Sequence, residues 1–360
     1  MAVVKPFRAL RYAEPSERVV APPYDVIAPE ERERYLALDP HNVVHLTLPD
    51  SEEEAGRTLA RWLDEGVLVE DGEPALWALA QDFVGPDGEP RTRTGVVASL
   101  KLEPYDTRVV LPHERTHAGP KEGRLRLLRA TGTELEPIFL VHRGPTLLEG
   151  SGAPTLEATE GGVATRLWRV TDPAAIDRVQ GALAPQRLLI ADGHHRYETA
   201  LAYHAERGTP ESGWMMVVLV GEEQEGLTIF PTHRLGEPQG NLLGGGPPDP
   251  REALAWIEAL PRDQAEVAVY TGGSALVVTG EEGELDATLV ERLAAGPVTY
   301  TPFADEAIAI VDRGDAKAAF LLRPASLEQV WALAEAGEVM PQKSTYFYPK
   351  LLSGLLFHPV

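Results

Sequence analysis

The stretch RLLIADGHHRYETALAYHAERG, residues 187–208, constrains the fold more than any other part of the chain. Its apolar run, residues 188–191, has the length of a buried strand. The run stops at Asp192-Gly193, where glycine permits a tight turn, and the chain then reads as a helix ending near Gly208. Strand, turn and helix in direct succession aim backbone N–H groups at an anion. Four polar groups of three chemistries, Asp192, His194, His195 and Arg196, gather where the strand ends, a place where sites tend to lie. A plainer reading makes Asp192 a helix cap and the two histidines surface residues.

The rest of the chain alternates in the same manner. SEEEAGRTLARWLDEGVL has the acidic start and apolar spacing of a helix. ALWALAQDFV and TGVVASLKL flank GPDGEP and predict a β-hairpin. Strands are expected at 137–142, 166–170, in WMMVVLV, in LTIFPTHRL and near 267–270 and 275–278. Helices are expected after Thr171-Asp172-Pro173 and over 251–260, 286–294 and 326–336. The pattern predicts a mixed α/β (α+β) fold, with strands and helices around mixed sheets. GEPQGNLLGGGPPDP, residues 236–250, reads as a linker. It separates an N-terminal α/β lobe, 1–235, carrying most of the polar motifs, from a C-terminal α/β lobe, 251–360, whose tail returns to the site.

Composition narrows the chemistry. Without cysteine there are no disulfides, thiolate nucleophiles or thiolate metal sites. A formal charge of −22 opposes duplex DNA and anionic membrane surfaces, both of which select basic faces, and leaves a small anion in a local basic pocket as the expected partner. No apolar run reaches the ~18 residues of a membrane span, and the N-terminus lacks a leader pattern, so a cytoplasmic location is expected. A homo-oligomer is left open.

LPHERTHAGPKEGRLRLLRAT, residues 111–131, sets Arg115, Lys121, Arg124, Arg126 and Arg129 against Glu114 and Glu122, a basic island in an acidic chain. Some of these arginines are expected to serve only as a solvated helix face. His113-Glu114-Arg115-Thr116-His117 matches H-E-x-x-H in letters. That zinc chemistry requires a helix, however, and Gly119-Pro120 is expected to stop one. In VVAPPYDV the paired prolines stiffen the backbone and project Asp25, as a site residue or as a cap for residues 29–31. VMPQKSTYFYPKLLSGL offers Lys343, Ser344 and Thr345 in a row, without the glycines of a P-loop, in a tail free of Asp and Glu from Val339 onward. Its aromatic and leucine residues suit a core anchor. His233-Arg234, at the end of a strand, is a weaker candidate.

PPYDV, PHE.T…PKEGRL.LL.AT, IADGHHRY..A and MPQKSTYF.PKL.SGLL, in this order over nearly the whole chain, resemble the family of domain of unknown function 1015. The resemblance implies a site made of Asp25, His113, Glu114, Thr116, Lys121, Asp192, Gly193, His194, His195, Arg196, Lys343, Ser344 and Thr345. His117 is outside that pattern, and Gly123-Arg124 stands where the family tends to show Asp-Arg. The DGHHR turn alone is similar to the Gly-x-x-Arg phosphate-binding turn of the ParB–sulfiredoxin superfamily, which includes nucleotide-binding partition proteins and free-serine kinases.

These readings converge on a small-molecule phosphotransferase, of the free-serine kinase type or acting on another hydroxylated metabolite, with Mg²⁺ and a nucleotide such as ATP or ADP. Phosphoryl transfer needs cations on phosphate, a carboxylate for the metal and a proton acceptor. Arg196, Lys121 and Lys343 are the expected clamps, with Gly193, His195, Ser344 and Thr345 beside them. Asp192 or Asp25 is the expected metal ligand and Glu114 or His194 the base, with His113 and Thr116 in support. The alternatives are a nucleotide-binding regulator without turnover and a metal-assisted hydrolase or phosphatase.

Overall fold

The long apolar runs pair into two separate sheets, each in its own unit of the chain. The computed structural model describes residues 1–114, 118–240 and 242–360. Its first unit comprises Met1–Pro112, Thr116–Thr228 and Pro349–Val360, and its second His113–Arg115 and Ile229–Tyr348. The architecture is the mixed α/β one expected from the sequence.

The first unit is built on a nine-stranded mixed sheet: β1 (Val4–Lys5), β2 (Leu76–Val84), β3 (Pro90–Lys101), β4 (Val110–Leu111), β5 (Ile138–His142), β6 (Leu156–Glu160), β7 (Val163–Val170), β8 (Leu188–Asp192) and β9 (Trp214–Gly221). They run in the order β4-β8-β5-β9-β3-β2-β7-β6, with β1 on β3. Pairing is parallel in β4-β8 and β5-β9 and antiparallel elsewhere. The β2-β3 hairpin closes on GPDGEP through Gly85 N–H to the Glu89 carbonyl at 2.8 Å. Besides the single turn Val44–Thr47, its helices are α1 (Pro29–Leu38), α2 (Glu52–Asp64), α3 (Ala118–Thr131), α4 (Pro173–Leu183) and α5 (His194–Arg207). Ser51 caps α2, which buries Ala55, Leu59 and Trp62, and Asp172 caps α4. Helix α1 starts after Ala28 without a side-chain cap, so Asp25 is not its cap. Gly119-Pro120 opens α3 rather than stopping a helix, because N–H groups of a first turn have no intrahelical acceptor to lose. The last twelve residues thread this unit, bridging Ala21 at Ser353 and Leu10 at Phe357.

The second unit carries a five-stranded antiparallel sheet, ordered β12-β11-β14-β10-β13. Its strands are β10 (His233–Pro238), β11 (Gln264–Tyr270), β12 (Ala275–Glu282), β13 (Ala294–Thr301) and β14 (Ala318–Leu322). Its helices are α6 (Pro250–Glu258), α7 (Asp286–Leu293), α8 (Ala304–Asp312) and α9 (Leu327–Ala336). The Gly- and Pro-rich stretch read as a linker lies inside this unit, where Gly236–Pro238 complete β10 and Gly245 bridges Val277. No helix among the described residues is long and apolar enough to cross a membrane.

Candidate phosphate site

In the first unit β8 delivers Asp192 to the sheet's edge of the turn, and Gly193 reverses the chain at φ 98°, a left-handed angle that favours glycine. A Cβ there would lie 2.6 Å from Ile138 Cγ2, so the turn also needs glycine for its close approach to β5. Helix α5 then begins with buried His194 and half-buried His195, and no side chain caps it. This is the strand-turn-helix geometry expected from the sequence.

The charges around this turn are tied together. Arg196 Nη2 donates to Asp192 Oδ2 and Nη1 to the Pro137 carbonyl, each at 2.5 Å. Lys350 Nζ, from the C-terminal tail, donates to the other oxygen of Asp192. Burial works against the Arg196 charge, yet Asp192 foremost, then Glu136, Asp25 and Tyr24, hold its pKa above the ordinary arginine value. With a cation on each of its oxygens, Asp192 orients Arg196 and Lys350 in this geometry.

Arg93, on β3, is fully buried and is a residue the sequence reading missed. Its guanidinium stands 4.5 Å from the Phe139 ring and donates to Gln81 Oε1 and to the Pro349 carbonyl, all neutral partners. Nη1 has no partner. Burial pushes its pKa down to about 9, with the Asp192 charge pulling the other way. Three cations, Arg93, Arg196 and Lys350, therefore interact with one carboxylate, Asp192, at the end of β8.

Beside Arg196 lies a groove of about 410 Å³ between α3 and α5, lined by Arg124, Leu127, Glu134, Glu136, Arg196 and Met215 among others. Arg124 lies 3.8 Å over the Tyr24 ring and donates to the Thr47 carbonyl at 2.9 Å. Glu136 Oε1 accepts from Tyr24 N–H and from Ser353 Oγ. Burial raises the Glu134 pKa against the pull of His358. The remainder of the basic island behaves as a solvated helix face. Lys121 pairs with Glu198 at 3.2 Å, Arg126 with Glu52 at 2.9 Å and Arg129 with Glu206 at 2.6 Å. Asp25 is exposed in the short turn Tyr24–Val26, within electrostatic reach of Arg196.

The other expected residues gather in the second unit. Glu114 Oε1 accepts from the N–H groups of Ser344 and Thr345 at 3.2 and 3.4 Å and from Thr345 Oγ1 at 3.3 Å. Fully buried His113 shares a hydrogen bond with Thr345 Oγ1 at 2.8 Å, and Ser344 Oγ donates to the Pro341 carbonyl. These groups satisfy one another, while Lys343 sits at φ 55°. His113 and Glu114 are not helical: Glu114 bridges Met340, and the helix begins at Ala118. The H-E-x-x-H spacing therefore lacks the helix it needs at its first two residues. Thr116 and His117, like Arg115, lie outside the described residues. His233 and Arg234 are buried strand residues, with His233 accepting from Leu322 N–H at 3.1 Å.

Arg93, Gln81 and Glu136 left no usable signal in the sequence. Lys350 does stand out in the sequence, as one of only six lysines and set in the tail free of Asp and Glu, though without a role assigned to it.

A family model described as protein of unknown function (DUF1015) matches residues 4–282. No curated protein matches the sequence. Among solved structures, the chain is similar to a free serine kinase variant in complex with AMP, at 16% identity and TM-score 0.42, covering 72% of this chain and 92% of that one. It is also similar to a conserved hypothetical protein from Pyrococcus furiosus, at 16% identity and TM-score 0.37, covering 71% and 93%. A third is SbnI with a C-terminal truncation from Staphylococcus aureus, at 15% identity and TM-score 0.37, covering 71% and 86%.

Proposed function

For this chain, which belongs to the family described as protein of unknown function (DUF1015), we propose a phosphate-handling enzyme that binds a nucleotide such as ATP or ADP at the Asp192–Arg196 turn. Its reaction is transfer of a phosphoryl group to a small hydroxylated metabolite. The observation that carries the reading is Arg93, a fully buried guanidinium with an unpartnered Nη1 and only neutral hydrogen-bond partners. Burying an ion without its counter-ion costs several kcal/mol. A bound phosphate beside Asp192, Arg196 and Lys350 offsets that cost.

The roles follow from the chemistry of each group. Arg93, Arg196 and the first N–H groups of α5 hold phosphate oxygens. Asp192 keeps Arg196 and Lys350 in place. Magnesium needs one or two protein carboxylates beyond the phosphates themselves. Asp25 fits that need, being exposed and making no hydrogen bond or ion pair with a described residue. Magnesium when bound there neutralises developing charge on the phosphates. The acceptor hydroxyl attacks the terminal phosphorus, the bond to the bridging oxygen breaks, and His194 takes the hydroxyl proton on a ring nitrogen. Glu114 anchors the turn at residues 344–345 and takes no proton.

Incubating the full chain with ATP or ADP, magnesium and a panel of small hydroxylated metabolites, followed by ³¹P NMR, tests the proposal. A new phosphate-ester resonance that depends on one acceptor is expected. A tight nucleotide complex with no product, or inorganic phosphate released without an acceptor, contradicts the transferase reading and identifies a regulator or a hydrolase instead.

A further inference from the structure

The second unit has an open pocket of its own, lined by Thr232, Arg262, Asp286, Arg323 and Lys343 among others. Two carboxylates line it, and both are already neutralised. Asp286 accepts from Arg323 Nε and Nη2 at 2.8 and 2.6 Å and from Glu266 N–H at 2.9 Å. Glu284 accepts from Arg292 Nε and Nη2 at 3.0 and 2.7 Å. The other two cations on the wall, Arg262 and Lys343, have no carboxylate within ion-pair distance among the described residues. Arg262 instead donates to the Pro324 carbonyl at 2.7 Å and stands close enough to Arg323 for the two charges to repel.

Two further features of the wall select an anion. Helix α7 opens into it at Asp286 and Ala287 with Leu285 at its N-cap, so no side chain caps its first N–H groups. Thr232 also faces the pocket; it is only 6% exposed, and its hydroxyl has no hydrogen-bond partner. A buried hydroxyl left unpaired is unfavourable and calls for an acceptor.

The geometry points to a second ligand site wholly within this unit, for a small molecule carrying a compact oxyanion, phosphate or carboxylate. Lys343 and Arg262 supply the charge, and Thr232 and the start of α7 supply hydrogen-bond donors. The site stands on observations separate from those behind the nucleotide reading of the first unit.

Lys343 is half-buried, so its amine reports directly on occupancy. The test is acetylation of the full chain by an N-hydroxysuccinimide ester, with and without inorganic phosphate or succinate at constant ionic strength, read lysine by lysine by mass spectrometry. Either anion is expected to slow labelling of Lys343 at least fivefold. Lys317, 69% exposed at its side chain and paired with Glu237, is expected to label at an unchanged rate. Protection by phosphate alone assigns a phosphoryl ligand, and protection by succinate alone a carboxylate one. Thr232→Val, which removes the hydroxyl at nearly constant volume, should abolish most of the protection. Arg262→Ala, at an exposed position, should do the same if Thr232→Val fails to fold. Equal Lys343 labelling with and without both anions, or protection that survives the substitutions, overturns the proposal.

Discussion

Gly193 combines two demands that no other residue meets at once: a left-handed φ of 98° and a Cβ position 2.6 Å from Ile138 Cγ2. Gly193→Ala therefore adds a left-handed backbone cost of roughly 1–2 kcal/mol to an overpacking cost of roughly 1–3 kcal/mol. Denaturant unfolding should show a loss of about 2–5 kcal/mol, and a loss below 0.5 kcal/mol (roughly the noise of a surface change) would contradict this account of the turn. The turn was legible in the sequence because its chemistry is local: an apolar run, a glycine and a helix stand in succession. Arg93 was not, because PRTRTGVV reads as a strand with a charged, solvated start. The fold buries that arginine against Phe139 and the tail at Pro349, which are 46 and 256 positions away in the chain, and spacing cannot reveal such neighbours.

Among the elements, those with regular periods and ordinary caps were readable, including α2, α4, α9 and the β2-β3 hairpin. The sequence misled where a breaker sits in a position that tolerates it. Pro120 falls in the first turn of α3, and Gly296-Pro297 falls in β13, an edge strand where a missing N–H costs no ladder bond. His233, at the start of β10, makes its own prediction. It is 1% exposed and accepts from Leu322 N–H, and burial pushes its pKa down to about 4 from an ordinary 6.5. The unfolded chain thus binds a proton more readily than the folded one, so the contribution of neutral His233 is complete above pH 6.5. It is lost as the pH falls from 6.5 toward 4, at ~1.4 kcal/mol per pH unit. Unfolding followed between pH 7 and 4.5 should show a steeper decline for the native chain than for His233→Asn, which keeps an acceptor without titrating. Parallel declines would rule out His233 as a source of the pH dependence.

At the scale of the whole molecule, the two-unit division was only partly readable, because the chain crosses between units several times and returns its last twelve residues to the first. That return brings Lys350 to Asp192 and the Pro349 carbonyl to Arg93, so the charged cluster of the first unit joins groups as far as 256 positions apart in the chain. The central claim is that this cluster exists to bind phosphate, and Arg93 separates that claim from a purely structural role. Removing Arg93 leaves Gln81 Oε1 and the Pro349 carbonyl without that donor, which costs about 1–3 kcal/mol of stability in either role, whereas only a phosphate clamp also loses affinity for the nucleotide. The decisive measurement is calorimetric titration of ADP into the native chain and into Arg93→Met, with the thermal unfolding of both recorded alongside. The account predicts that the native chain binds ADP, and that Arg93→Met, titrated at a temperature where its unfolding curve shows it fully folded, binds it at least tenfold more weakly. Equal affinity in the two proteins would contradict it.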